Sequence, residues 1–117
     1  MKSTKSSPYI RFLNCLNALD CMNPGKKLDS TEEQLLNHIS LSASWDKELL
    51  VGDLIQLSQF GSQATLHGRL KNLVAMGYVK LTEDKTDGRK KCVAPTAKAF
   101  KYYERLSACL EKAIKGS

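Results

Sequence analysis

The 117-residue sequence lacks any long apolar run. No window approaches the roughly 18 consecutive apolar residues that a membrane-spanning helix requires. The polar start of the chain contains lysines and has no apolar stretch of the kind found in signal peptides. We therefore expect a cytoplasmic protein that has no membrane partner.

The sequence also has few of the residues that build metal and catalytic sites. Its cysteines form no Cys-x-x-Cys pair, and no histidine lies at a zinc-ligand spacing from them. His38 and His67 are far apart and suggest no dyad by themselves. These absences predict no metal, no cofactor and no enzymatic activity. We expect reduced thiols at all four cysteines: Cys15, Cys21, Cys92 and Cys109.

Length and charge favour a single basic domain. We expect a disordered basic N-terminus over residues 1–8 and one folded domain over residues 9–117. Eighteen Lys and Arg against twelve Asp and Glu give a formal charge of +6. This excess favours a polyanionic partner, but a basic composition is equally typical of an ordinary soluble protein. Only the placement of the basic residues can distinguish these two interpretations.

Apolar residues at helical spacing predict the first two helices. Residues 9–22 place Phe12 and Leu16 on one face of an amphipathic helix, which Asn23-Pro24-Gly25 ends. The pattern Ser30-x-x-Glu33 has the form of a capping box and predicts the start of the second helix.

A helix-turn-helix pattern follows in the middle of the chain. Residues 45–49 are compatible with a short edge strand, and Val51 begins a short helix. Gly61 offers a left-handed break, after which Ser62 caps a further helix that ends at Gly77. Two helices joined by a tight glycine turn are a helix-turn-helix candidate.

A β-hairpin and a long helix complete the order of elements. Residues 78–82 and 89–94 are typical of two strands around a polar turn. After Thr96 a last helix has apolar residues spaced like a short coiled-coil seam: Tyr103, Leu106, Leu110 and Ala113. The fold class is therefore mainly α with one small β-hairpin, an α+β arrangement with about five helices.

Three short stretches are informative together: Val51-Gly52-Asp53-Leu54, Ser62-Gln63-Ala64-Thr65-Leu66 before Gly77-Tyr78-Val79, and Asp87-Gly88-Arg89. They lie at the first helix of the helix-turn-helix pattern, at its second helix, and at the hairpin tip. In order and spacing they resemble the MarR family of winged-helix regulators, whose wing carries an Asp-x-Arg motif. The resemblance covers about residues 30–110. The chain departs from the family at Leu50, which replaces a capping Thr, at Gly68, which replaces a basic residue, and at Ala99, which replaces a Gly.

The resemblance implies a winged helix-turn-helix fold and a function. It implies a sequence-specific regulator of transcription, a repressor, that binds double-stranded DNA as a homodimer and responds to an unidentified small-molecule effector. Its recognition helix, 62–76, would enter the major groove, and its wing, the hairpin 78–95, would enter the minor groove. Arg89 would insert there while Asp87 holds it in position.

The helical period and the hairpin tip define the expected DNA-binding residues. Thr65 and Asn72 are expected at base edges, Lys71 and more weakly His67 at phosphates. The α-helical set is Ser62, Gln63, Ala64, Thr65, His67, Gly68, Arg69, Lys71 and Asn72, and the wing set is Lys85, Asp87, Arg89 and Lys90. The first and last helices are expected to form the dimer interface through Phe12, Leu16, Tyr103, Leu106 and Leu110.

Other interpretations stay open at this point. The same helix and hairpin could form a protein-interaction module that binds no DNA. Asp-Gly could serve turn geometry alone, and the lysines could serve solubility. Cys15 could be an oxidant-sensing thiol with Arg11 one turn before it, or a buried structural residue. Trp45 could line a ligand cavity or fill the core.

Overall fold

The computed structural model describes residues 7–22 and 27–115 of the chain. Over these residues it contains five helices and one antiparallel hairpin, as the sequence predicts. The elements are α1 (Pro8–Met22), α2 (Ser30–Ser44), α3 (Val51–Ile55), α4 (Gln63–Ala75), β1 (Val79–Glu83), β2 (Lys91–Pro95) and α5 (Ala97–Lys115). The predicted break Asn23-Pro24-Gly25 and most of the predicted disordered start lie outside the described residues, whereas Pro8 is already helical. No helix in the described part is long and apolar enough to cross a membrane.

The chain divides into two compact units. One contains α1 and the part of α5 from Lys101 onward, and the other spans Leu28–Phe100. The second unit contains the helix-turn-helix and the hairpin. Its core is built from α2, α3, α4, the hairpin and the start of α5, and the buried apolar side chains are Leu35, Leu36, Ile39, Leu54, Leu66, Leu70, Leu73, Val79, Cys92, Val93 and Ala99.

Helix α2 begins with a capping box, one residue earlier than the sequence pattern suggests. Asp29, not Ser30, is the N-cap: its carboxylate accepts from the backbone N–H of Glu32 at 2.7 Å. In return, Glu32 Oε1 accepts from the backbone N–H of Asp29 at 2.9 Å. Both pairings fit the same three-residue spacing, so sequence alone does not separate them. The observed register turns Glu32 inward, where it is buried.

The expected edge strand over residues 45–49 is wrong. Trp45 and Asp46 close the end of α2 instead, and Asp46 adopts a left-handed φ of 55°. Only the following residues meet the hairpin: Leu49 accepts from the N–H of Val93 at 2.8 Å, and Leu50 forms an isolated bridge with Cys92. Trp45 is 66% exposed, so it does not fill the core.

The hairpin has its predicted place, with strand ends shifted by one or two residues. β1 and β2 pair antiparallel, with Val79 opposite Pro95 and Glu83 opposite Lys91. The tip over residues 84–90 is closed by a hydrogen bond from the N–H of Asp84 to the carbonyl of Lys90 at 3.0 Å.

In the unit formed by α1 and α5, two cysteines are joined. Cys15 and Cys109 form a disulfide with Cα atoms 5.6 Å apart, although 94 residues separate them in the sequence. The expectation of reduced thiols is wrong for this pair, because the helix pairing that brings them together is invisible in sequence spacing. Cys92 is free. Nearby, Arg11 Nε donates to the carbonyl of Ala113 at 2.9 Å.

Reduction of this disulfide should destabilise the protein. A crosslink that closes a loop of this size restricts the unfolded chain and contributes about 2–5 kcal/mol to the free energy of unfolding. Urea unfolding with and without reductant measures the difference. Cys15→Ser should unfold at the reduced parent's midpoint whether or not reductant is present. An identical midpoint for the oxidised and reduced parent would show that the crosslink contributes nothing.

Candidate nucleic-acid interface

The turn between α3 and α4 fixes where α4 begins. Gly61 has a φ of +153°, which side-chain-bearing residues rarely adopt, and the chain reverses there. Ser62 is then the N-cap: its Oγ accepts from the backbone N–H of Thr65 at 3.2 Å and donates to Thr65 Oγ1 at 3.0 Å. α3 begins without such a cap, since Leu50 makes no side-chain capping bond.

Helix α4 has one buried and one exposed face, as its leucine spacing predicts. Leu66, Leu70 and Leu73 are buried in the core of their unit. The opposite face carries Ser62, Gln63, Ala64, Thr65, His67, Gly68 and Lys71, all of them exposed. A Cβ built on Gly68 would meet nothing within 4 Å, so that part of the face is open. The side chains of this face are small or polar at the N-terminal end of the helix, and Lys71 adds a positive charge further along.

Two residues of the predicted DNA-binding set turn towards α2 instead. Asn72 is half-buried and donates from Nδ2 to Glu32 Oε2 at 3.0 Å. Arg69 Nε lies 3.0 Å from Asp29 Oδ2. The expectation that Asn72 is exposed and reads base edges is therefore not supported by its position. A helical wheel gives the direction of each side chain but not the partner that a neighbouring helix brings to it.

The wing tip presents a fixed arginine. The Arg89 side chain is 92% exposed, and its Nε lies 3.2 Å from Asp87 Oδ1. The same carboxylate oxygen accepts from the backbone N–H of Arg89 at 3.1 Å. These bonds from Arg89, backbone first and guanidinium second, hold the pKa of Asp87 below its ordinary value of 3.8, so the carboxylate is ionised at neutral pH. Asp87 is placed to hold Arg89, the role that the family resemblance implies.

Turn geometry alone does not account for the sequence of this tip. Among the described glycines only Gly61 and Gly77 have positive φ. Gly88 therefore does not occupy the left-handed conformation for which an Asp-Gly hairpin turn selects glycine. Lys85 and Lys90 are exposed at the tip beside Arg89.

A family model and several solved structures match this geometry. The model, described as a winged helix DNA-binding domain, matches residues 28–99. The chain is similar to the transcriptional regulator Tm0710 from Thermotoga maritima, with 20% identity, coverage of 92% of this chain and 69% of that one, and a TM-score of 0.67. It is similar to S. aureus MepR in a DNA complex, with 18% identity, 87% and 74% coverage, and a TM-score of 0.63. It is also similar to the heme sensor protein PefR from Streptococcus agalactiae in complex with heme, with 20% identity, 87% and 67% coverage, and a TM-score of 0.62.

The protein belongs to the winged helix DNA-binding domain family, because the family model covers more than half of the chain. The three structural neighbours are MarR-family regulators, so the fold expected from the sequence resemblance is confirmed. The family and these neighbours are DNA-binding or regulatory proteins. A search among curated protein sequences finds no match.

Asn72→Ala should destabilise the fold and leave the choice of DNA sequence unchanged. The substitution removes a partner from the buried carboxyl group of Glu32, which should lower the free energy of unfolding by about 1–3 kcal/mol. Lys71→Ala, one residue away and exposed, is the matched control and should unfold like the parent. Unchanged stability, together with a smaller difference in affinity between selected and random duplexes, would instead place Asn72 at the bases.

Proposed function

We propose that the protein is a transcriptional repressor that docks on double-stranded DNA with α4 in the major groove and the wing in the minor groove. The observation that carries this proposal is the pairing of Arg89 with Asp87 at a fully accessible wing tip. The guanidinium is oriented before any ligand arrives, so little side-chain freedom is lost on binding.

Helix α4 is suited to the major groove. That groove admits an α-helix, and Ala64 and Gly68 would let the backbone approach the base edges closely. Gln63 and Thr65 are exposed on the same face with side chains that hydrogen-bond bases, and Lys71 and His67 lie where phosphates would pass. We assign Asn72 and Arg69 no base contact in this docking, because Asn72 donates to Glu32 of α2 and Arg69 pairs with Asp29, the N-cap of α2.

The wing is suited to the minor groove. A narrow minor groove concentrates negative potential and favours an inserted arginine, especially in A·T-rich sequence. Lys85 and Lys90 flank Arg89 and would contact the phosphates on either side.

Arg89→Ala should weaken binding to a selected duplex by about 1–3 kcal/mol, which is about fivefold to 150-fold. It should also lower the salt slope of log affinity by about one unit, since one cation fewer releases counterions. Fluorescence anisotropy at several salt concentrations measures both. Arg105→Ala removes an arginine of α5 outside the proposed interface and should bind like the parent. Parental affinity for Arg89→Ala at every salt concentration would contradict the docking, and a flat salt plot for the parent would favour the protein-interaction module.

We also propose that α1 and α5 form a homodimer interface. Cys109 and Ala113 are buried within their own unit. On another line of α5, Leu106 is half-buried, Leu110 is 50% exposed and Ile114 is 66% exposed. Phe12 and Leu16 of α1 and Tyr103 of α5 are each half-buried. A small protein rarely leaves such a continuous apolar strip in water.

Leu110→Glu should convert the dimer to a monomer, because the new charge would lie in the apolar strip. Sedimentation velocity across the micromolar range measures the change. Leu41→Glu, at an exposed leucine of α2 outside the strip, should remain dimeric. A parent protein that sediments as a monomer at all these concentrations would remove the interface and the expectation of a palindromic DNA site.

The disulfide between Cys15 and Cys109 favours a second candidate function, repression controlled by oxidants. Opening or closing a covalent link between α1 and α5 would change the freedom of the helices proposed to join two subunits. DNA affinity of the oxidised and reduced parent should then differ by at least about fivefold, with Cys15→Ser insensitive to reductant. Equal affinity of both forms would leave the disulfide a purely structural crosslink. The heme held by the PefR neighbour supports a small-molecule effector for this chain as a further possibility for regulation.

A further inference from the structure

Three metal-ligating side chains from separate segments meet at the base of the wing. Glu48 precedes α3, Asp84 follows β1, and Cys92 lies on β2. Their ligand atoms, two carboxylate oxygens and one thiol sulfur, all lie within 4.8 Å of one another. Sequence spacing does not predict this group, because Glu48 lies far from the other two members along the chain.

Cys92 is the buried member of the group. Its side chain is nine-tenths buried and takes no part in a disulfide. Its sulfur lies within 4.8 Å of a carboxylate oxygen of Glu48 and of one of Asp84. A buried sulfur among the core side chains of this unit therefore lies close to two carboxylate oxygens.

The two carboxylates also lack a counter-charge. Two neighbouring acidic groups of the hairpin do have one: Glu83 lies 3.8 Å from Lys91, and Asp87 is paired with Arg89. In the described part of the chain, neither Glu48 nor Asp84 forms an ion pair with a lysine or arginine. Asp84 is instead held by Thr86, whose hydroxyl donates to it at 3.1 Å.

We propose that Glu48, Asp84 and Cys92 bind one divalent transition-metal cation of the zinc class. A thiolate with two carboxylates suits zinc, whereas calcium and magnesium prefer more ligands and only oxygen. Tetrahedral ligands of zinc lie about 3.3–3.8 Å apart, so the three atoms need to close by about an ångström. Glu48 is exposed and free to make that movement. On binding, Cys92 loses its thiol proton to solvent, the metal–sulfur bond forms, and water completes the fourth position.

The bound cation would tie the wing to the segment before α3. That segment already touches β2 through the hydrogen bond from Val93 to Leu49. A metal held from both sides would restrict the hairpin that carries Arg89. None of the three proposed ligands is among the residues proposed to contact DNA, so the site can be tested without DNA.

Cobalt(II) titration in the Cys21→Ser background tests the site, because Cys92 is then the free thiol available to the metal. One equivalent per chain should produce the near-ultraviolet thiolate-to-cobalt absorption, and one equivalent of zinc should abolish it. Cys92→Ser should give no such band. Glu48→Gln and Asp84→Asn should each weaken binding at least tenfold, while Glu83→Gln, which removes a carboxylate paired with Lys91, should bind like the parent.

Several outcomes would overturn the proposal. No saturable band in the parent would mean that the three side chains lie close together without binding a metal. Equal weakening by Glu83→Gln would mean diffuse attraction to acidic surface. Circular dichroism without metal shows whether each variant is folded. If Cys92→Ser does not fold, the result for Glu48→Gln decides whether the site exists, since Glu48 is exposed and its replacement should not disturb the fold. Zinc should also slow amide hydrogen exchange over residues 84–92, and unchanged exchange with bound metal would refute the tie to the wing.

Discussion

The position of α4 in the proposed DNA interface depends on the buried carboxyl group of Glu32. One of its oxygens caps the start of α2 and the other accepts from Asn72 of α4. Buried polar atoms must be paired, so this group sets α4 against α2 with a defined rotation. The leucines of α4 then fill the core, and the opposite face is left for a ligand. The ion pair of Arg69 with Asp29 lies at the same junction, but it is partly exposed and adds less.

A second local constraint acts on the wing. Asp87 takes two hydrogen bonds from Arg89, which directs an otherwise flexible side chain outwards. The α4 face has few charges, and much of the positive charge lies at the hairpin tip. Such a division suits a protein whose helix reads bases at close range and whose wing supplies electrostatic attraction.

Periodicity was sufficient to predict the helices, the hairpin and the buried face of α4, because each depends on residues a few positions apart. The wing pair was implied by the family resemblance, through an Asp-x-Arg motif whose two members are only two residues apart. Periodicity failed where the partner comes from elsewhere in the fold. Asn72 has the polarity of a base-reading residue, and only the position of Glu32, 40 residues earlier, shows its structural role. Sequence spacing missed the disulfide, and the group formed by Glu48, Asp84 and Cys92, for the same reason.

Docking through α4 and the wing is tested most directly by amide chemical-shift mapping during titration with a selected duplex. Binding should shift the amides of residues 62–71 and 84–91 at low salt, and the shifts should diminish as salt is raised. The amides around Leu35 and Leu36, buried in α2, should move little. Shifts confined to α1 and α5, with none at Thr65 or Arg89, would show that DNA binds elsewhere and would contradict this assignment of the interface.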